Sequence, residues 1–144
     1  MIKPLFVFID SDVFIAACLS QRGAAFLLMN MFSLKRVISI DSQKEIGIVS
    51  RRLKIKTEMV EKMGAHCKVV EMSESADAIQ VKYAKYVTDR FDVHIVAGAV
   101  MAKSRFLVTY NTKHFKREKI KREFDIIVCE PALVLQYLRS LRTT

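Results

Sequence analysis

Short, largely apolar runs recur along this chain and constrain its fold more than any other feature. A strand buried on both faces of a parallel sheet has this continuous apolar character, whereas a strand with one solvated face alternates apolar and polar side chains. Runs of this kind occupy residues 5–9, 36–40, 106–109 and 124–128, and a weaker candidate for an edge strand occupies residues 68–71. We therefore expect a sheet that is mostly parallel.

Segments with apolar residues at helical spacing separate these runs. Ile46, Val49 and Leu53 form one such stripe, and a second begins at Val93 and continues through Val96. Strands that alternate with helices in this way predict a three-layer α/β/α sandwich with right-handed crossovers. The chain has 144 residues without a recognisable repeat or linker, so we expect one domain over residues 1–144.

The composition excludes several other classes of protein. With 51% apolar and 27% charged residues, the chain has the profile of a globular protein rather than a disordered one. The first apolar run is too short for a signal peptide or a membrane span. Three widely separated cysteines without metal-site spacing predict reduced thiols. We therefore expect a cytoplasmic protein that makes no contact with membranes.

The net charge of +9 suits a polyanionic partner, and nucleic acid is the commonest one. Basic residues concentrate at Arg51 and Arg52 and again in a later group that includes Lys113, Lys116 and Arg117. If these side chains bind RNA, they contact phosphates and supply affinity rather than sequence choice. A solvated surface is the alternative explanation for both groups.

Polar residues stand where ligands bind in open α/β sheets, outside the carboxyl ends of the strands. Asp10 ends the first strand, and Asn111 lies just past the strand at 106–109. Glu45 and Asp92 stand in the first turns of helices that should open onto the same edge. Clustered carboxylates are unfavourable unless a cation neutralises them. The pattern therefore predicts a Mg²⁺ or Mn²⁺ site formed by these three carboxylates.

Each of these residues also has a purely structural interpretation. Asp10 could simply end a strand, and Asp92 could favour the positive end of its helix. Glu45 could be the return arm of a capping box that starts at Ser42. Asn111 could be a turn residue that tolerates unusual backbone angles. The positions alone leave both interpretations open.

Four segments, in order along the chain, resemble the motifs of the PIN-domain nucleases. They are Phe8-Ile9-Asp10-Ser11-Asp12, Ser42-Gln43-Lys44-Glu45-Ile46, the segment from Asp89 to Ala99, and Leu107-Val108-Thr109-Tyr110-Asn111. The later Lys113-His114-Phe115 is similar to the branch of VapC-like toxins of toxin–antitoxin systems. The resemblance covers nearly the whole chain.

The resemblance implies a metal-dependent endoribonuclease that cuts single-stranded RNA and uses Mg²⁺ or Mn²⁺. It implies that Asp10, Glu45 and Asp92 hold the metal and that Asn111 stands at a fourth catalytic position, which is often acidic in the family. It further implies supporting roles for the neighbouring residues Ser11, Asp12 and Thr109, the first and last through their hydroxyl groups. Asp12 replaces the commoner Asn, and Asn111 cannot act as a base.

The toxin branch also implies a homodimer and an antitoxin that inserts a segment into the acidic cleft. The early helices carry enough apolar residues for a dimer face (Phe26, Leu27, Met29, Met31 and Phe32), although a buried core would use them equally well. Two rival functions remain. One is a non-catalytic PIN-like module that binds RNA or protein, and the other is a flavodoxin-like or receiver domain with a phosphorylated strand-end Asp.

Overall fold

The computed structural model describes residues 4–142 and contains one five-stranded sheet. All four strand pairings are parallel, as the continuous apolar runs predict. The strands are β1 (Leu5–Ile9), β2 (Leu34–Ser39), β3 (Cys67–Val70), β4 (Phe106–Val108) and β5 (Ile127–Cys129). The predicted α/β class is confirmed, and the weak candidate β3 lies at one edge of the sheet.

Helices connect every pair of consecutive strands. The α-helices are α1 (Ser11–Leu19), α2 (Ala24–Met29), α3 (Ile40–Arg52), α4 (Thr57–Gly64), α5 (Ala76–Tyr83), α6 (Val93–Met101), α7 (Arg117–Phe124) and α8 (Pro131–Arg142). Three short 3₁₀ turns occupy Ala84–Tyr86, Arg90–Asp92 and Thr112–His114. No helix within residues 4–142 is both long and apolar enough to cross a membrane.

Two separate apolar cores cover the two faces of the sheet. Alternate residues of β1 point to opposite faces, so Val7 and Ile9 pack into one core and Phe8 packs into the other. Helices α1–α4 and α8 complete the first core, and helices α5–α7 complete the second. The arrangement is the predicted three-layer sandwich, and burial on both faces explains why the central strands lack polar alternation.

The strand order is β3-β2-β1-β4-β5. The chain builds outward from β1 through β2 to β3, and then returns to the other side of β1 to form β4 and β5. The order therefore reverses between β1 and β4, and ligands of open α/β sheets bind at such a reversal, outside the carboxyl ends of the strands. The flavodoxin-like rival is wrong, because that fold has the order 2-1-3-4-5.

The predicted cap at Ser42 is wrong, because α3 is capped three residues earlier than expected. The side chain of Ser39 accepts a hydrogen bond from the backbone N–H of Ser42 at 3.0 Å, so Ser39 caps α3 and Ser42 lies inside its first turn. Asp10 caps α1. The predicted capping box at Ser42 therefore does not exist, and it no longer explains Glu45.

Gly98 allows α6 to approach the sheet closely. A Cβ atom at this position would lie 2.6 Å from Cε2 of Phe8, whose ring is completely buried. We expect Gly98→Ala to lower the free energy of unfolding by about 2 kcal/mol, because overpacking costs about 3 kcal/mol and alanine returns about 1 kcal/mol of helix propensity. Urea denaturation measures the change.

The matched control is Gly47→Ala in α3. The nearest atom to an added Cβ there is Nη1 of Arg51, at 3.8 Å, so this change should stabilise the protein by about 0.5–1 kcal/mol through helix propensity alone. Equal stabilisation by both substitutions would show that Phe8 does not restrict position 98.

Candidate active site

Asp10 lies at the centre of the carboxyl edge, where β1 ends and α1 begins. Its side chain accepts two hydrogen bonds, from the backbone N–H of Ser11 to Oδ1 at 2.7 Å and from the hydroxyl of Thr109 to Oδ2 at 2.9 Å. Only 7% of Asp10 is exposed. Thr109 thus contacts Asp10 through its hydroxyl, whereas Ser11 contacts it through its backbone N–H.

Asp12 faces the same strand ends from the first turn of α1. Its Oδ2 accepts a hydrogen bond from the backbone N–H of Tyr110 at 3.0 Å and lies 3.5 Å from the hydroxyl oxygen of Thr109. Its Oδ1 is buried and has no hydrogen-bond partner among the described residues. A buried carboxylate oxygen without a donor is unfavourable unless a cation or water satisfies it.

Thr109 ties the two central strands together at their reversal. Its hydroxyl donates to Asp10 after β1, and its oxygen accepts the backbone N–H of Asn111 after β4 at 3.0 Å. Asn111 is exposed at the same edge of the sheet, where it lines a cleft together with Asp10. The two residues that the strand-end rule singled out therefore stand in one cleft.

Burial and crowding raise the pKa of Asp10 from 3.8 to about 7. Burial is the largest cause, the negative charge of Asp12 is the second, and Glu45 adds a smaller contribution in the same direction. Burial is also the main reason that the pKa of Asp12 is raised. In the absence of a cation, the protein therefore disfavours the charged forms of both carboxyls.

Asp92 ends the 3₁₀ turn Arg90–Asp92 and occupies the N-cap position of α6, just before the helical turn in which it was predicted. Its Oδ2 lies 3.2 Å from Nδ1 of His114. Burial raises the pKa of Asp92, and the hydrogen bond and charge of His114 partly oppose that rise. This pair joins the start of α6 to the turn that follows β4.

Glu45 lies in the second turn of α3, is exposed, and lines the same cleft as Asp10, Asp92 and Asn111. All four predicted catalytic residues are therefore brought together. The cleft has a volume of about 520 Å³ and six acidic residues in its lining, namely Asp10, Asp12, Asp41, Glu45, Asp89 and Asp92. No Lys or Arg of the described chain lines it, although the whole protein has a net charge of +9.

The donor chemistry of this cleft fits a hard divalent cation, because carboxylate and amide oxygens are the ligands such ions prefer. The unpartnered Oδ1 of Asp12 and the raised pKa of Asp10 point the same way. Among the described residues, however, no three His, Cys, Asp or Glu side chains are arranged to hold a metal ion. Metal binding would therefore require side-chain rotation, which the exposed Glu45 permits.

The predicted RNA-binding residues lie in two different places. Lys113, Lys116 and Arg117 are exposed around the turn Thr112–His114 and the start of α7, beside the cleft. Arg51 and Arg52 end α3, roughly 15 Å along the helix from its first turn, and they do not line the cleft. Phe115 is buried and is not available to stack on a base.

Sequence reasoning did not assign several residues of the cleft to the site, among them Asp41, Asp89, Phe91 and His94. Asp41 directly follows the predicted strand at 36–40, so the strand-end rule that singled out Asp10 applied to it as well. Phe91 is 71% exposed at the cleft, and a hydrogen bond from its backbone N–H to Oδ1 of Asp89 at 3.0 Å holds the turn in place. No local pattern marks an exposed aromatic residue as part of a site.

Comparisons with known proteins agree with the fold of this chain. A family model described as PIN domain matches residues 6–113, while no curated protein matches the chain. Nine chains of solved structures match. One belongs to the crystal structure of VapBC2 from Rickettsia felis bound to a DNA fragment from their promoter, with a TM-score of 0.59 and 15% identity over 86% of this chain and 97% of that chain. At that identity the likeness shows a shared fold.

Proposed function

Because the chain belongs to the PIN-domain family, we propose that it is a divalent-metal-dependent endoribonuclease that hydrolyses phosphodiester bonds of single-stranded RNA. PIN domains are generally nucleases, and the observation that carries the proposal is the cleft that gathers Asp10, Glu45, Asp92 and Asn111 at the strand reversal. Six carboxyl groups in one cleft of a basic protein are not explained by composition.

Asp10, Glu45 and Asp92 would hold a Mg²⁺ or Mn²⁺ ion. Such an ion supplies stabilisation of charge on the phosphate and lowers the pKa of a water molecule. Thr109 and the backbone of Ser11 orient the carboxylate of Asp10. Asp92 would accept the proton that the attacking water molecule loses.

Asn111 and Asp12 complete the proposed site. The amide of Asn111 can orient a water molecule or contribute an oxygen ligand, but it cannot take a proton. Asp12 adds negative charge beside Asp10 and holds Tyr110 through its backbone N–H. The site would depend on Asp10, Glu45 and Asp92 for metal binding, and Asp92 would also be the proton acceptor.

The substrate must approach an acidic cleft, so positive charge outside the cleft is needed to attract it. Lys113, Lys116 and Arg117 supply that charge beside the cleft, and Arg51 and Arg52 supply it at longer range. Asp10 is recessed, and a single strand can direct one phosphodiester into a recess because its nucleotides are not held in a duplex.

We also propose the domain organisation, the cellular location, the biological role and the oligomeric state of the protein. The chain would be a single domain in the cytoplasm and the toxin of a toxin–antitoxin pair, consistent with the shared fold of VapBC2. It would form a homodimer through the region of α2, where Leu27 is 51% exposed and Phe32 is 99% exposed, although Met29 is buried. Light scattering after gel filtration tests the dimer.

A non-catalytic module that binds RNA or protein is the second candidate. Asn111 favours it, because the fourth catalytic position lacks a carboxylate. Calorimetric titration with Mn²⁺ separates the candidates, since a binding module does not require the ion.

Removal of the divalent ion is the direct test of the proposed function. We expect the protein to cleave single-stranded RNA with Mn²⁺ or Mg²⁺ and to lose this activity completely in excess chelator, because the carboxylates alone do not stabilise charge on a phosphate. Readdition of the ion should restore cleavage. Cleavage that persists in chelator would reject the mechanism, and no cleavage of any RNA would favour the binding module.

A further inference from the structure

A second groove, of about 580 Å³, lies beside the acidic cleft and has the opposite charge. Six basic residues line it: Lys85, Lys113, Lys116, Arg117, Lys119 and Arg122. One acidic residue, Glu118, also belongs to the lining. We call this surface the basic groove. Its cations come from the turn Ala84–Tyr86, the turn Thr112–His114, the N-cap residue Lys116 and helix α7, so no single helix explains it as a solvated face.

Backbone hydrogen bonds hold the two walls of the basic groove together. The N–H of Lys116 donates to the carbonyl oxygen of Tyr86 at 2.8 Å, and the N–H of Thr88 donates to that of His114 at 2.8 Å. An antiparallel bridge between Val87 and Phe115 lies between these two bonds. The positions of the lysines on either side are therefore set by the fold.

The side chains of Lys85 and Lys119 converge from opposite walls on one aromatic ring. Their Nζ atoms lie 5.5 Å and 5.6 Å from the ring centroid of Tyr86, within the range of cation–π attraction. Within residues 4–142, none of the six groove cations forms an ion pair. Positive charge that is gathered and not neutralised is suited to the phosphates of a polyanion.

The turn Thr112–His114 separates the basic groove from the acidic cleft. His114 lines the cleft, whereas Thr112 and Lys113 line the groove. A strand that leaves the cleft across this turn enters the groove at once. We propose that the basic groove binds the phosphates of the nucleotides that flank the scissile bond on one side, an inference that rests on the proposed ribonuclease function.

The proposal is tested by removing the two lysines on Tyr86 together, in Lys85→Ala/Lys119→Ala. The matched control is Lys62→Ala/Lys68→Ala, which removes two exposed lysines from α4 and the opposite edge strand β3. Fluorescence anisotropy with a labelled single-stranded RNA measures the affinity in chelator over a range of salt concentrations. Binding is thereby measured without cleavage.

The logarithm of the association constant falls as the logarithm of the salt concentration rises. Loss of two phosphate contacts should make this slope shallower by about 1.4, since each contact to a single strand contributes about 0.7. At about 0.1 M salt this corresponds to roughly 25-fold weaker binding. We expect that result for the groove variant, little change for the control, and recovery in Lys85→Arg/Lys119→Arg, which keeps both charges. Recovery also shows that weakened binding does not come from misfolding.

The outcomes separate the two proposals. If the groove variant and the control bind RNA equally well, the proposed binding of RNA by the basic groove is wrong, whether or not the protein cleaves RNA. An acidic protein would then be the partner to test. If only the groove variant loses RNA binding and the wild type does not cleave RNA in Mn²⁺, the groove binds RNA but the proposed ribonuclease activity is wrong. Failure of the wild type to bind any RNA overturns both.

Discussion

Replacing Asp10 with Asn is expected to reduce metal-dependent RNA cleavage by at least about a hundredfold, since it removes the carboxylate on which the proposed metal site is centred. The substitution preserves size, and the hydroxyl of Thr109 can reverse its hydrogen bond to accept from the new amide. The folded structure should therefore survive. Cleavage rates at saturating Mn²⁺, together with the affinity for Mn²⁺ from calorimetry, measure the effect.

The control is Asp77→Asn, which removes an exposed carboxylate from the first turn of α5, outside the cleft. This variant should cleave RNA at the wild-type rate. Wild-type activity in Asp10→Asn would show that the cleft is not the site of catalysis. Loss of cleavage with unchanged affinity for Mn²⁺ would instead give Asp10 a role other than metal binding.

The stability of the metal-free protein is expected to fall as the pH rises, and Asp10 should be a main cause. Its pKa in the folded state is raised from 3.8 to about 7, so its contribution is fully present below about pH 4 and is lost as the pH rises through 7. Between about pH 5 and pH 8 the loss from this group is on the order of 3 kcal/mol. Urea denaturation in chelator at the two pH values measures it.

Asp10→Asn serves as the comparison, because asparagine does not titrate. Asp12 and Asp92 also have raised pKa values and shift stability in the same direction, so the difference between wild type and variant isolates Asp10. The variant should be more stable than the wild type above about pH 7, and added Mn²⁺ should stabilise the wild type more than the variant. An identical pH dependence in both proteins would contradict the raised pKa.

The fold class could be predicted because burial on both faces leaves a direct trace in the sequence, an apolar run without alternation. Val7 and Phe8 belong to opposite cores, and both lie in one continuous apolar run of the sequence. The strand order leaves no such trace, because any of these runs could lie beside any other. The pairing of β1 with both β2 and β4 depends on how the helices pack.

The candidate site was predictable to the extent that its residues follow strands. Asp10 and Asn111 were placed by that rule, and both line the cleft. The contact of Asp92 with His114 joins residues 22 positions apart, and no local spacing indicates it. Ser39 was missed as a cap because the apolar Ile40 after it looks like a continuation of the strand. The roles of these residues, the domain limits and the dimer remain predictions.

The hydrogen bond between Thr109 and Asp10 joins residues 99 positions apart in the chain. Contacts over such distances form late, because the loop between them must be closed before they give any stability. During synthesis, Asp10, Glu45 and Asp92 would all leave the ribosome before Thr109 could bring the end of β4 beside β1. If the protein has the proposed ribonuclease activity, its site is complete only when most of the chain has been made, and a shorter nascent chain would not cleave the message from which it is translated.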